Sequence, residues 1–210
     1  MVLPFSDTTR LDIAERCAAF VRLPDDASTL PLKRAAVAIT LTTMRDETGA
    51  TALLLTLRAA SLRAHSSQWA LPGGRCDAGE TPIAAALREL QEELGLALSA
   101  DAVLGLLDDY PTRSGYLITP VVVWADGSTE LTLNPAEVAS VHWIDLETIT
   151  AVDAFDFTAI PESDRRVVRF HHQEGMIHAP TAALIYQFRE VLGGRTTRVS
   201  ELEQPVFAWK

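Results

Sequence analysis

Apolar and polar residues alternate along this chain in two rhythms, and their order predicts a mixed α/β arrangement. The β-rich runs at 34–43 (RAAVAITLTT) and 51–57 (TALLLTL) predict two strands, joined by a hairpin turn at Asp46-Glu47-Thr48-Gly49. Further strands are predicted at 102–109, Tyr116–Trp124, 129–133 and 141–144. Helical spacing places Leu11, Ala14, Ala18 and Phe20 or Val21 on one stripe over 7–23, with a start near Ser6 to Thr8. A second helix is predicted over 180–192, begun by Pro180 and stopped by Gly193-Gly194. A third follows Thr81 as N-cap and Pro82 as first helical residue, and ends at Gly95.

That third helix has two unlike faces. With Glu89 at zero on a wheel of ~100° per residue, Glu92 and Glu93 fall within about 60° of it, while Ile83, Leu87, Leu90 and Leu94 lie at about 100–160°. Like charges three and four apart repel by roughly 0.2–0.5 kcal/mol per pair, so gathering them on one face invites a cation. Carboxylate oxygens are hard ligands, which points to Mg²⁺ or Mn²⁺ over zinc. The bland alternative is a solvated acidic face on a surface helix. Ahead of the helix, Pro72-Gly73-Gly74 breaks regular structure and lets the backbone turn sharply.

Spacing decides between these alternatives. Residues 74–96, GRCDAGETPIAAALRELQEELGL, hold Gly74, Glu80, Arg88-Glu89-Leu90, Glu92-Glu93, Gly95 and Leu96 at the intervals of the Nudix hydrolase signature, which the segment resembles. At residue frequencies of about 5–7%, the seven identities other than the two leucines arise together by chance in roughly one chain in a million. The resemblance covers about residues 35–192 and implies an α/β fold, a Nudix-type α/β/α sandwich with a mixed β-sheet. It also implies that Glu89, Glu92 and Glu93 bind the metal with the carbonyl of Gly73, and that an Arg88–Glu80 ion pair orients Glu89. The implied reaction is hydrolysis of a nucleoside diphosphate linked to another moiety. The proton of the attacking water goes to Glu92 or to Glu137.

Upstream, residues 53–74 (LLLTLRAASLRAHSSQWALPGG) resemble the coenzyme A pyrophosphatase subgroup at Leu54, Leu55, Thr56, Arg58, Ala59, Arg63 and Pro72-Gly73-Gly74. Ser67 stands where the subgroup has Gly, and Leu71 where it has Phe. Downstream, Thr112-Arg113-Ser114-Gly115-Tyr116, Thr119-Pro120, residues 134–138 (NPAEV) and Thr181-Ala182 also resemble the subgroup, whereas Ala179-Pro180 replaces its Trp-Gly. Arg58 and Arg63 precede the metal loop and are candidates for binding pyrophosphate oxygens; the alternative is ordinary surface pairing. His65 reads as a loop residue, and His171-His172 and His178 as loop or core residues. Trp69 and Tyr116 are either core residues or stacking partners for a base. The implied substrate is coenzyme A or an acyl-CoA. ADP-ribose, NADH or another dinucleotide is the alternative, and a nucleotide-sensing module without catalysis a more distant one.

Composition narrows the picture further. With 210 residues, 48% of them hydrophobic, one domain suffices: an N-terminal helical extension at 1–33 packed on a hydrolase domain at 34–194, then a tail at 195–210. A formal charge of −10 argues against nucleic acid and anionic membranes as partners, leaving a small-molecule nucleotide, and is compatible with a homodimer. Cys17 and Cys76 lack metal-site spacing and read as packing residues. The N-terminus has no signal-peptide pattern and the most apolar run is broken by Pro120, so a soluble, cytoplasmic protein is expected.

Overall fold

A computed structural model describes residues 3–24, 26–60, 68–126, 130–172 and 175–206. Strands β1 (Lys33–Thr43) and β2 (Thr51–Arg58) form the expected hairpin, with Leu41 opposite Leu53. Short strands β3 (Trp69–Ala70) and β4 (Gly73–Arg75) then add to β2 and β1. Strands β5 (Val103–Leu106) and β6 (Tyr110–Pro111) both pair with β7 (Tyr116–Trp124), and β8 (Val138–Asp145) pairs with β2. β1 and β7 run parallel over their whole contact, so this large sheet is mixed.

Period-2 alternation assigns each strand's residues to two cores. Ile39, Leu41, Leu53, Leu55, Val122 and Trp124 face one way; Ala36, Ala38, Leu54, Val121 and Val123 face the other. The second set meets α2 (Pro82–Leu94) through Ala85, Ala86, Leu90 and Leu94. On the opposite face lie α1 (Asp7–Ala19) and α4 (Thr181–Leu192), together with a three-stranded antiparallel sheet. That sheet comprises β9 (Phe155–Ile160), β10 (Ser163–His172) and β11 (Gly175–His178), and follows the short helix α3 (Leu146–Thr150). The layering is the expected α/β/α sandwich with a mixed sheet.

Several expectations need correction. α1 ends at Ala19, and it turns Thr9, Ile13 and Cys17 inward; of the predicted stripe Phe20 reaches the core, whereas Leu11 is 63% exposed and Ala18 is exposed too, so the stripe is centred off the buried face. Residues 130–133 form no strand, because their backbone is used elsewhere: Thr132 N–H donates to the Leu94 carbonyl and Asn134 N–H to that of Glu93. The segment thus satisfies carbonyls at the open C-terminal end of α2. The strand predicted at 102–109 shrinks to Val103–Leu106, and the three strands β9 to β11 were not foreseen. In the tail, Val199 joins the core and Glu203 makes a bridge with Val167. No helix among the described residues is long and apolar enough to cross a membrane.

Candidate active site

α2 has its ends where the sequence puts them. The Thr81 hydroxyl accepts from Ala84 N–H, Pro82 opens the first turn, and Gly95 closes the last with φ of 69°. Its acidic residues divide. Glu89 and Glu93, one turn apart, are 9% and 2% exposed and lie beneath the β4 backbone, whereas the Glu92 side chain is 53% exposed.

One glycine makes room for a buried carboxylate, and its neighbour lets β4 close on β1. A Cβ on Gly74 would stand 2.2 Å from a carboxylate oxygen of Glu89, and one on Gly73, at φ of 155°, would stand 2.3 Å from the Ala36 carbonyl oxygen. Glu137 approaches from the loop before β8, with one oxygen accepting from the Asn134 amide at 3.2 Å. Ligand atoms of Glu89, Glu93 and Glu137 all lie within 4.8 Å of one another.

Arg88 organises the rim. It holds Glu80 through two bonds of 2.9 and 3.1 Å and reaches Glu89 at 2.9 Å and Glu92 at 3.0 Å. It also donates to the Arg75 carbonyl at 2.9 Å, tying the helix to β4. These bonds hold the Glu80 carboxyl below its usual range and push the Arg88 guanidinium up. The buried pair moves the other way. Desolvation raises Glu89 against the pull of Arg88; desolvation, then the neighbouring charge of Glu89, pushes Glu93 up to about 8. Arg58 opposes this from 3.9 Å, and a backbone hydrogen bond from Gly73 does the same.

Such a site fits a hard divalent cation. It offers oxygen donors from two separate elements, and their burial and mutual repulsion are what a cation relieves. Beside it opens a cleft of about 450 Å³ between the large sheet and the start of α4. Arg58 and Gly73-Gly74 form one end; Val37, Leu71, Ile118 and Leu184 supply apolar wall; Thr112, Ser114 and Tyr116 line the far end.

Of the residues proposed from sequence, the structure brings Glu89, Glu93, Glu137, Gly73 and Arg58 to one place. It puts Glu80, Arg88 and Glu92 into the adjoining ion-pair network. Arg63, His65 and Ser67 lie outside the described residues. Trp69 and Tyr116 both line the cleft while partly buried, so the choice between core and ligand was too narrow. Missed altogether were Arg75, inside the signature itself, and Gln204, whose place on the cleft no local pattern announces.

The NUDIX domain family model matches residues 32–167. The chain belongs to the Nudix family. It is 35% identical over 141 residues to "Uncharacterized Nudix hydrolase NudL" of Photorhabdus laumondii, covering 66% of this chain and 75% of that one. The relative of the same name from Yersinia pestis is 32% identical over 175 residues, 83% of this chain and 80% of its own. Among solved structures, the Nudix hydrolase RenU of M. smegmatis shares 24% identity over 77% of this chain and 86% of its own, with a TM-score of 0.47. This Nudix protein is therefore an enzyme that hydrolyses pyrophosphate bonds in nucleoside diphosphate derivatives, within a family that generally uses divalent metal ions.

Proposed function

We propose that this Nudix hydrolase cleaves coenzyme A or an acyl-CoA to 4′-phosphopantetheine, or its acylated form, and adenosine 3′,5′-bisphosphate, with Mg²⁺ or Mn²⁺. One observation carries the chemistry: three carboxylates, two of them buried, converge beside an arginine at the mouth of a cleft. The subgroup-like pattern from Leu54 to Gly74 carries the choice of substrate.

In this reading Glu89 and Glu93 hold the cation with the Gly73 carbonyl, and Glu92 adds a further carboxylate from the rim. When bound, the cation polarises the diphosphate oxygens and makes a neighbouring water easier to deprotonate. Arg58 turns toward the diphosphate, where a guanidinium binds oxygens bidentately, and Arg63 is assigned the same task. Arg88 keeps Glu89 and Glu92 oriented. Glu137 takes the water's proton: its carboxylate reaches the cluster and Asn134 steadies it, while Glu92 is engaged by Arg88. The apolar wall around Leu71 and Ile118 keeps bulk water from competing with the positioned one.

Mass spectrometry of the products decides the substrate. Incubation of the enzyme and Mg²⁺ with coenzyme A, ADP-ribose and NADH in parallel is expected to release 4′-phosphopantetheine from coenzyme A at the highest kcat/KM. No 4′-phosphopantetheine, with AMP formed from ADP-ribose or NADH, overturns the coenzyme A reading and leaves Nudix hydrolysis standing.

A further inference from the structure

The cleft runs away from the carboxylates toward the N-terminal end of β1, and its far end has a chemistry of its own. The register sets Ala35 between Arg75 on β4 and Ile118 on β7, with Lys33 beside Tyr116 one step along the same face. Flanking strands lie about 10 Å apart across a central one, and the small Ala35 side chain leaves a trough between them. Arg75 spans it. Its guanidinium lies 5.1 Å over the Tyr116 ring, and the Lys33 ammonium is 6.0 Å from the same ring.

These two cations differ from the arginines around them. Arg34, Arg88 and Arg113 are ion-paired with Asp109, Glu80 and Glu203, whereas among the described residues no carboxylate lies within ion-pair distance of Arg75 or Lys33. In a chain of net charge −10, two cations against a ring with no carboxylate partner among the described residues mark a local surplus of positive potential. An exposed cation–π contact is weaker than a bidentate charged hydrogen bond, so an arriving phosphate draws the guanidinium off the ring without breaking an ion pair. A hydroxyl donor stands at the same end, Ser114 Oγ, 3.1 Å from Thr112 Oγ1; the Thr112 hydroxyl is itself engaged by the Tyr116 backbone, donating to its carbonyl at 3.1 Å and accepting from its N–H at 2.9 Å, and so fixes the turn. Their turn is anchored from the tail, where buried Glu203 pairs with Arg113 and the Gln204 side-chain oxygen accepts from Arg113 N–H at 2.6 Å.

We propose that this end of the cleft is a subsite for a phosphate monoester on the nucleoside half of the substrate, with Arg75 as its principal ligand and Lys33 and Ser114 in support. The diphosphate binds at the carboxylate end, so a second cationic site at a distance recognises an additional anionic group. Under the coenzyme A reading, on which the identity of that group rests, it is the ribose phosphate that separates coenzyme A from dephospho-CoA.

Calorimetric titration of the full chain with adenosine 3′,5′-bisphosphate and with AMP tests the subsite without turnover. The bisphosphate is expected to bind at least about 10-fold more tightly. Arg75→Ala should weaken the bisphosphate at least about fivefold more than AMP, and Arg75→Lys should restore part of the gap, both with an unchanged melting temperature. In parallel, the kcat/KM advantage of coenzyme A over dephospho-CoA should shrink in Arg75→Ala, mainly through KM. Equal affinities for the two nucleotides, or an equal loss of both in Arg75→Ala, overturns the subsite. Failure to cleave coenzyme A instead removes the substrate reading, and the nucleotide titrations still decide for or against the phosphate site.

Discussion

At the scale of single residues, the site depends on carboxylates placed where water is scarce. Glu93 is 2% exposed and faces Glu89 and Glu137, so its charge is costly until a cation offsets it. Glu93→Gln keeps the shape and removes the charge. Turnover with Mg²⁺ is expected to fall by at least about 10²-fold, while the melting temperature without metal stays level or rises, since an isosteric neutral amide removes the cost of burying or protonating that carboxyl. Full activity in this variant would remove the metal assignment. Gly74→Ala attacks the same place from the backbone: its Cβ would stand 2.2 Å from the Glu89 carboxylate, so the loop or the glutamate must move. We expect activity to drop at least about tenfold with modest loss of stability; unchanged kcat with unchanged metal affinity would show that the loop yields freely.

At the scale of elements, legibility followed local signals. α2 was readable in full because cap, proline, apolar stripe and glycine stop agree, and the β1–β2 hairpin because its turn residues sit between two β-rich runs. β9 to β11 were not, because their stabilising partners are remote or cross-strand. Arg169 on β10 binds Asp156 on β9 through bonds of 2.6 and 2.7 Å, and this half-buried arginine interrupts the buried Val167, Val168 and Phe170, which follow exposed Arg165 and Arg166. α1 shows the same limit: its N-cap at Ser6 and the apolar Phe20 were legible, yet Ile13 and Cys17 face inward because α4 and the sheet are there to receive them. In the site, spacing along one helix found the three glutamates, but only tertiary packing separates buried Glu89 and Glu93 from exposed Glu92. The tail carries its own test. The Arg113 hydrogen bonds hold Glu203 down to about 2, so its stabilising ionised form is complete above about pH 4.5 and is lost as pH falls toward 2. Glu203→Gln should lower stability by about 1–3 kcal/mol at neutral pH and flatten the acid limb of a pH–melting curve; an unchanged acid limb would count against the pair.

At the scale of the whole molecule, metal, protons and stability are coupled through one buried carboxyl. Glu93 has its pKa raised to about 8, first by desolvation and then by the charge of Glu89, against an ordinary value of 4.5 in the unfolded chain. Between these two values the folded protein binds a proton that the unfolded chain has released, so the stability of the metal-free enzyme declines as pH rises from about 4.5 to about 8. A divalent cation bound to the carboxylates requires the ionised form, so below about pH 8 it must displace that proton and its apparent affinity improves as pH rises. Two trends of opposite sign therefore meet: the metal-free enzyme weakens with alkalinity while the stabilisation conferred by the metal grows. Melting curves at pH 6 and pH 8.5, each with and without saturating Mg²⁺, should show a clearly larger metal-induced rise at the higher pH. Proton displacement contributes up to about 1.4 kcal/mol per pH unit, and calorimetry in buffers of different ionisation enthalpy should register proton release near neutrality. Glu93→Gln should sharply reduce the pH dependence of the metal effect, leaving what the raised Glu89 carboxyl contributes. An Mg²⁺-induced rise of the same size at both pH values, with no proton released, would place the cation elsewhere than on Glu93.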